Sequence, residues 1–222
     1  MFRKVMKTVT YMLSLPKSLI FNLRAFPLAT AVRMPVFLHY RTRVLAVRRN
    51  AVRFQCPVRT GLVRLGFGGT ETVEARRRNI LSVGKGVLQV DGEVRLGEGF
   101  VLKNEGQMHL GANFSANRNC KIVCAEEIEF GKDCLLGWDV VVRDVDGHRI
   151  IENGVVKPDK KAIRIGSHCW ICSETHILKG AEIGNDNVVA YQSLLNKKLT
   201  ENNALIAGKP GKVIRTDVNW EE

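Results

Sequence analysis

Residues 163–195 read IRIGSHCWICSETHILKGAEIGNDNVVAYQSLL, and this stretch repeats an aliphatic residue every six positions. A six-residue period matches neither the helical period nor the alternation of a simple strand. It predicts hexapeptide repeats of a parallel β-helix. The repeated residues of this stretch and of three earlier runs are Ile165, Ile171, Ile177, Ile183, Val189 and Leu195; Val90, Leu96, Leu102 and Met108; Leu110, Ala116, Ile122 and Ile128; and Phe130, Leu136 and Val142.

Each hexapeptide is expected to form one short strand and one corner, with its aliphatic residue pointing into the coil. Three hexapeptides make one triangular coil of about 18 residues, and successive coils stack about 4.8 Å apart. A single coil cannot bury its own apolar face, so several coils must stack. The runs restart two residues late at residues 108–110 and 128–130, which predicts a two-residue insertion at a corner. The many in-register aliphatic residues disfavour the alternative of unrelated short strands in a sandwich.

The formal net charge of +12 comes from the N-terminal third of the chain. Residues 1–70 contain 13 Lys or Arg and no Asp or Glu, whereas the rest contains 21 basic and 22 acidic residues. The segment is also apolar, but its uncharged stretches are too short to span a membrane. Neither a signal peptide nor a nucleic-acid recognition motif is indicated. Two interpretations remain open: a basic amphipathic segment on an anionic membrane surface, or helices that pack on the β-helix or on a neighbouring subunit.

The six cysteines include one C-x-x-C pair, formed by Cys169 and Cys172, which is a redox or zinc pattern. Cys169 falls at a small-residue corner position of the repeat, however, and no second pair completes a zinc set. We therefore expect small, half-buried thiols in a reducing compartment, and hence a cytoplasmic protein.

The repeat stops after Val142 and resumes at Ile163, which leaves an inserted loop at residues 143–162. Loops inserted at the corners of a solenoid often carry function, and this loop contains Asp144, Asp146 and His148. A carboxylate beside a histidine fixes its tautomer and stabilises the imidazolium, while the free nitrogen takes a proton. The loop therefore predicts His148 as a general base with Asp144 or Asp146 as its partner, against the alternative of a solvated charged loop.

Four more motifs accompany this loop. They are Asn113-Phe114-Ser115-Ala116-Asn117-Arg118-Asn119, Leu136-Gly137-Trp138-Asp139-Val140, Cys169-Trp170-Ile171, and Ala207-Gly208-Lys209-Pro210-Gly211-Lys212-Val213-Ile214-Arg215. With these motifs, residues 90–215 resemble the hexapeptide-repeat acyltransferases, the left-handed β-helix O-acetyltransferases. The similarity is greatest to the branch of galactoside and maltose acetyltransferases and polysaccharide O-acetyltransferases.

The resemblance implies a left-handed coil and a homotrimer whose active sites lie between neighbouring β-helices. It also implies acetyl-CoA as the donor, a saccharide hydroxyl as the acceptor and no metal. His148 aligns with the family's catalytic base, and Asn117 and Trp138 lie on the acceptor side. The positions that match the coenzyme channel are Trp170, Ser173, Tyr191, Asn196, Lys197, Lys212 and Arg215. Structural alternatives stay open: Asn117 as a corner cap, Trp170 as cover for a coil edge, and Lys212 and Arg215 as solvated charges.

The chain departs from the family pattern at three places. Cys172 stands where the family usually has Gly, and Tyr191-Gln192 replace a small-residue pair near the coenzyme channel. Cys124-Ala125 replace the acidic pair that is typical of the galactoside branch. The last difference favours a polysaccharide acceptor.

We therefore expect an all-β protein with a left-handed parallel β-helix at residues 71–207. A basic, partly helical segment at residues 1–70 precedes it, and a coenzyme-side tail at residues 208–222 follows. The expected activity is acetyl-CoA-dependent O-acetyl transfer to a surface polysaccharide or its lipid-linked precursor, with peripheral membrane contact left open. The alternatives are a non-catalytic β-helix scaffold at the membrane and a zinc hydratase of the γ-carbonic-anhydrase type, in which His148, His168 and His176 would be the ligands.

Overall fold

A computed structural model describes residues 2–70 and 72–221, apart from the side chains of residues 2–5 and 7. Its helices are α1 (Phe2–Ala25) and α2 (Leu28–Ala31). Its strands are β1 (Val36–Leu38), β2 (Arg43–Val47), β3 (Val52–Phe54), β4 (Val63–Leu65), β5 (Ile80–Val83), β6 (Val87–Val90), β7 (Val94–Leu96), β8 (Val101–Asn104), β9 (Gln107–Leu110), β10 (Phe114–Ala116), β11 (Lys121–Cys124), β12 (Glu127–Phe130), β13 (Leu135–Leu136), β14 (Val141–Arg143), β15 (Ile151–Glu152), β16 (Val155–Val156), β17 (Ile163–Ile165), β18 (Trp170–Ile171), β19 (His176–Leu178), β20 (Glu182–Ile183), β21 (Val188–Val189), β22 (Leu194–Leu195), β23 (Lys198–Leu199), β24 (Leu205–Gly208) and β25 (Gly211–Arg215).

The strands form three long sheets and one two-stranded sheet, β15–β16. Consecutive strands of the coils lie on different long sheets, except that the last strand, β25, pairs antiparallel with β24 on the first sheet. The first sheet has the order β1-β4-β7-β10-β13-β18-β21-β24-β25, the second β2-β5-β8-β11-β14-β19-β22, and the third β3-β6-β9-β12-β17-β20-β23. We name the edges of this prism by the sheets that they join. The first corner leads from the first sheet to the second, the second corner from the second to the third, and the third corner from the third to the first. The predicted fold class, a left-handed parallel β-helix, is confirmed.

The six-residue repeat places its aliphatic residues in continuous inward columns. On the second sheet, Ile122 pairs in register with Val142, which pairs with Ile177, which pairs with Leu195. All four side chains are at most 1% exposed. Burying a side chain of this size contributes about 1.5–3 kcal/mol, so the column is a main source of stability for the coil stack.

Two predictions about the repeat are wrong. The β-helix begins at Val36, not at residue 71, because β1 and β4 belong to the same first sheet as the later repeats. The long connection between β4 and β5 interrupts the six-residue period there and hides these coils from the sequence pattern. The two extra residues at 108–110 also do not lie at a corner. Met108 and Leu110 both point inward from the single strand β9, so the strand itself is longer.

Glycine follows many repeated residues because the stacked corners approach closely. A Cβ atom added at Gly111 would lie 2.4 Å from the backbone carbonyl carbon of Gly131 in the next coil. A side chain at this position would push the coils apart, so the repeat requires glycine there.

Helix α1 covers the open edge of the first coil with polar side chains. Ser14, Ser18 and Asn22 are fully buried and lie four residues apart, on one face of the helix. Asn22 donates to Val36 O at 2.7 Å and accepts from Val36 N at 3.2 Å. Leu38 N donates to Ser18 Oγ at 2.9 Å, and Tyr40 N donates to Ser14 Oγ at 3.0 Å. These contacts satisfy the edge strand β1, which would otherwise expose unpaired backbone groups.

The outward face of α1 is apolar and exposed. Its large side chains include Met12 at 64%, Leu13 at 55%, Ile20 at 52% and Leu23 at 45% exposure. The inward face of the helix thus carries Ser14, Ser18 and Asn22 beside the apolar Phe21 and Ala25. Its large exposed apolar side chains depart from the usual arrangement of a surface helix, whose outward face is polar. None of the described helices is long and apolar enough to cross a membrane.

Candidate functional site

The inserted loop leaves the β-helix at the second corner, between β14 and β17. It forms the antiparallel hairpin β15–β16, which carries exposed Ile151 and Val156. His148 lies just before this hairpin and is exposed. No hydrogen bond or ion pair involves its side chain within residues 2–70 and 72–221, so both ring nitrogens are free to meet another molecule.

Asp144 fixes the base of the loop. Its side chain is fully buried, and its two oxygens accept hydrogen bonds from the backbone N–H groups of Ala125, Glu126 and Glu127 at 2.7–2.8 Å. These donors lie on the preceding coil, between β11 and β12. The carboxylate therefore joins two coils at the second corner. Its oxygens are hydrogen-bonded to these backbone donors and not to a histidine.

Asp146 is also engaged at the loop base. Its Oδ2 lies 2.5 Å from Lys179 Nζ, and its carbonyl oxygen accepts from Arg143 Nη2 at 2.6 Å. In the described part of one protomer, neither Asp144 nor Asp146 is hydrogen-bonded to His148. The predicted carboxylate–histidine pair is therefore not assembled within one copy of the chain.

The residues expected on the acceptor side lie at the first corner. Asn117 follows β10 and Trp138 follows β13, so they occupy adjacent coils. Asn117 Oδ1 accepts from Thr70 N at 2.7 Å and Arg118 N at 2.8 Å, so this oxygen caps the corner. Among the residues that the structure describes, the Asn117 Nδ2 amide has no protein partner and is the part available to a ligand.

A long connection between β4 and β5 packs onto this corner, which the sequence pattern did not indicate. Arg118 Nη1 donates to Val73 O at 2.5 Å, and Asn119 Nδ2 donates to Glu74 O at 3.0 Å. Arg76 N donates to Asn119 Oδ1 at 2.9 Å, and its guanidinium lies 3.5 Å from the Asp139 carboxylate. The connection thus brings Arg76 to the first corner, beside Asn119 and Asp139.

The residues predicted for the coenzyme channel divide between two corners and two strands of the first sheet. Ser173 and Tyr191 lie at the first corner, and Ser173 Oγ accepts from Trp138 N at 3.2 Å. Asn196 and Lys197 lie at the second corner, between β22 and β23. Lys212 and Arg215 lie on β25, the last strand of the first sheet, and Trp170 lies on β18 of that sheet.

The C-terminal tail adds an aromatic residue that the sequence pattern did not single out. Trp220 stacks on the His168 ring with centroids 4.6 Å apart, and its Nε1 donates to His168 O at 2.9 Å. The Trp220 ring also lies 6.0 Å from the ring of Trp170. The tail therefore folds back over the first sheet next to a predicted coenzyme residue.

The three histidines of the zinc alternative lie apart in the fold. His148 is in the loop of the second corner, His168 lies at the third corner against Trp220, and His176 is on β19 of the second sheet. Within residues 2–70 and 72–221, no group of three His, Cys, Asp or Glu side chains is placed to hold a metal ion. The arrangement gives the zinc hydratase interpretation no support.

The cysteines of the described chain are free thiols, and Cys120, Cys124, Cys134 and Cys169 are buried. Burial raises the pKa of Cys120 and of Cys124 to about 12, so both remain protonated at neutral pH. Such thiols are packing groups, not nucleophiles.

The sequence of this chain is similar to those of known O-acetyltransferases. The galactoside O-acetyltransferase of Escherichia coli K12 is 33% identical over 112 residues, which cover 49% of this chain and 53% of that protein. The polysialic acid O-acetyltransferase of Neisseria meningitidis is 38% identical over 106 residues, which cover 46% of this chain and 49% of that protein. The homologues of the present chain are hexapeptide-repeat O-acetyltransferases.

The resemblance of this hexapeptide-repeat chain to that family is thereby confirmed. The chain spans about half the length of the two curated relatives. No family model matches it. The crystal structure of a polysialic-acid-specific acetyltransferase shares the fold, with a TM-score of 0.52 at 18% identity over 85% of this chain and 79% of that one.

Proposed function

We propose that the protein is an O-acetyltransferase that moves the acetyl group of acetyl-CoA to a saccharide hydroxyl. The acceptor hydroxyl oxygen attacks the thioester carbonyl carbon while a His148 ring nitrogen takes the hydroxyl proton. The tetrahedral intermediate then loses coenzyme A thiolate, which receives that proton from His148. Backbone N–H groups stabilise the oxyanion. Asp144 acts in this scheme as the anchor of the loop that carries His148.

One observation supports this function above the others: the predicted base His148 and the predicted acceptor residues lie at opposite edges of the second sheet. His148, Asn196 and Lys197 lie at its second-corner edge, whereas Asn117 and Trp138 lie at its first-corner edge. A complete site therefore requires the second corner of one copy to meet the first corner of another. This arrangement agrees with catalysis between the subunits of a homotrimer.

The outer faces of the sheets agree with that assembly. The third sheet presents mainly charged side chains, namely Glu127, Glu129, Arg164, Glu182 and Lys198. The second sheet presents aliphatic side chains, among them Ile80, Val101, Val123, Val141, Leu178 and Leu194, beside the polar side chains of Lys103, Lys121, Arg143 and His176. Apolar surface favours burial between subunits, so we place the second sheet toward the trimer axis and the third sheet toward solvent.

The cations expected to bind coenzyme A phosphates fit that role. Lys197, Lys212 and Arg215 are exposed, and none has an acidic partner among the described residues. Exposed cations without a carboxylate partner are available to phosphate oxygens. Trp170 on the first sheet and Tyr191 at the first corner also have exposed aromatic rings.

The acceptor class follows from the relatives and from the N-terminal third. A relative acts on polysialic acid by its name, which favours a polysaccharide acceptor here. The exposed apolar face of α1 and the acid-free residues 1–70 support peripheral contact with an anionic membrane, at its cytoplasmic face. We infer that the acceptor is a surface polysaccharide or its lipid-linked precursor.

The function is tested by mass spectrometry of the cell-surface glycan with and without the protein. Loss of acetyl groups from the glycan is expected when the protein is absent, and a strain that carries His148→Ala should show the same loss. A non-catalytic scaffold predicts full acetylation in the His148→Ala strain, and that result would refute the proposed activity.

The membrane contact predicts a second measurement. Vesicles of phosphatidylcholine with phosphatidylglycerol should carry the protein upward in a density gradient. Introducing charge on the outward face of α1, by Met12→Asp with Leu23→Asp, should abolish flotation because both side chains are exposed and apolar. Circular dichroism should remain unchanged, since neither residue belongs to the core. Flotation of the double variant at the level of the native protein would contradict the contact.

A further inference from the structure

A cleft rich in arginine lies at the N-terminal end of the first corner. It is lined by Arg41 from the β1–β2 connection, by Arg76, Arg77 and Arg78 from the β4–β5 connection, and by the carboxylate of Glu98. Arg76 pairs with Asp139, and Glu98 lies 3.8 Å from Arg118. Arg41, Arg77 and Arg78 have no acidic partner among the described residues. The cleft therefore has a surplus of guanidinium groups.

The lowered pKa of a buried histidine agrees with this surplus of positive charge. His39 also lines the cleft, and its pKa is lowered to about 4 by burial and by the positive charges of Arg41 and Lys17. A neutral His39 adds no charge of its own at neutral pH. The positive potential of the cleft thus comes from arginine and lysine, whose charge does not change near neutrality.

An apolar trough adjoins this cleft. The trough has a volume of about 570 Å³ and runs between α1 and β2. Its α1 side is formed by Leu13, Lys17, Ile20 and Arg24, which lie on one face of the helix. Val44 and Val47 form the opposite wall, and Lys17, Tyr40 and Arg43 connect the trough to the arginine cleft. A cationic cleft that opens into an apolar trough matches a ligand with a phosphate at one end and an aliphatic chain at the other.

We propose that the junction of α1 with the first two coils is a binding site for a phosphorylated lipid. The aliphatic chain lies in the trough beside Ile20, and Arg41 and Arg78 bind the phosphate through charge-assisted hydrogen bonds. The ligand is a phosphate or diphosphate ester of a long aliphatic alcohol, because the surplus of guanidinium groups in the cleft suits a highly charged phosphate and the trough has room for its chain.

The position of the site connects it to catalysis. The β4–β5 connection that supplies Arg77 and Arg78 continues from Thr70, whose backbone N–H is bonded to Asn117. A saccharide that is attached to the bound phosphate would therefore extend along the first corner toward Asn117 and Trp138. This second step rests on the proposed acetyl transfer, whereas binding of the phosphorylated lipid does not.

Binding is measured by isothermal titration calorimetry of the full chain with three soluble probes and without acetyl-CoA. The probes are inorganic diphosphate, farnesyl diphosphate and dihexanoyl phosphatidic acid. Farnesyl diphosphate is expected to bind at least about tenfold more tightly than inorganic diphosphate, because it adds aliphatic burial. Tighter binding of farnesyl diphosphate than of dihexanoyl phosphatidic acid is expected for this ligand, and the reverse order would contradict it.

Two pairs of variants separate the halves of the site. Arg41→Gln with Arg78→Gln should weaken the binding of all three probes by at least about tenfold. The control, Arg33→Gln with Arg53→Gln, removes equal charge outside the cleft and should change the affinity by less than about twofold. Ile20→Asn should remove the advantage of farnesyl diphosphate over inorganic diphosphate. Leu23→Asn changes an equally exposed residue of α1 outside the trough and should leave that advantage intact.

Three results would overturn the site. Equal losses in the two arginine pairs would show diffuse attraction to a basic surface. Equal affinities of farnesyl diphosphate and inorganic diphosphate would remove the role of the trough. Absence of binding by every probe would reject the site altogether. Each result leaves acetyl transfer by His148 untouched, so failure of the lipid site and failure of the proposed activity are distinguishable.

Discussion

Replacing His148 by alanine is expected to lower kcat for acetyl transfer by about 100- to 10,000-fold, the usual contribution of a general base. The acceptor hydroxyl is a weak nucleophile, and within the described chain the loop of the second corner contains no other histidine. His148 is exposed and makes no contact that supports the fold. The thermal midpoint of unfolding and the KM for acetyl-CoA should therefore remain close to the native values.

His109→Ala is the matched control. His109 lies on the third sheet, where its Nε2 is 2.6 Å from Asp91 Oδ2 and where no predicted site residue lies. Its replacement removes a histidine and its hydrogen bond to Asp91, and it should change kcat by less than about twofold because no predicted site residue lies on this sheet. The transfer of radiolabelled acetyl groups to a saccharide acceptor measures both variants. Full transfer by His148→Ala would exclude His148 as the base.

The part of the fold that the sequence predicts is the part with a local period. Residues such as Ile171 and Val189 repeat every six positions because each coil uses the same short strand and corner, and the structure places them in register. The first two coils escape this pattern because the β4–β5 connection is long, although Val63 and Leu65 are as deeply buried as the later repeats. A six-residue period in the sequence therefore reveals coils only where the corner connections are short.

The contacts of the candidate site depend on neighbours that are distant along the chain. The sequence places Asp144 four residues from His148 and thereby suggests a pair, but it does not show the three backbone donors on the preceding coil. It likewise shows Ser14, Ser18 and Asn22 as polar interruptions in an apolar helix. Their purpose is visible only once β1 lies against that helix.

Asp144→Ala is expected to reduce the free energy of unfolding by about 3 to 5 kcal/mol. The substitution leaves three part-buried backbone N–H donors without an acceptor. An unsatisfied buried donor costs about 1–3 kcal/mol, and the lower part of that range applies to donors that water partly reaches. Asp144→Asn should also destabilise the protein, because one carboxylate oxygen becomes an NH₂ group that faces backbone donors. Urea denaturation at a fixed protein concentration measures both changes.

Asp146→Ala is the comparison variant for Asp144→Ala, and together they test whether Asp144 anchors the loop or orients His148. The Asp146–Lys179 pair is partly exposed, so its loss should change the free energy of unfolding by no more than about 1 kcal/mol. If Asp144 acts as the anchor of the loop, Asp144→Ala should lower stability and activity together, and lower temperature should restore part of the activity by repopulating the native loop. If Asp144 instead orients His148, kcat should fall in a variant of nearly native stability. A fully stable but inactive Asp144→Ala protein would therefore show that this carboxylate takes part in the reaction itself.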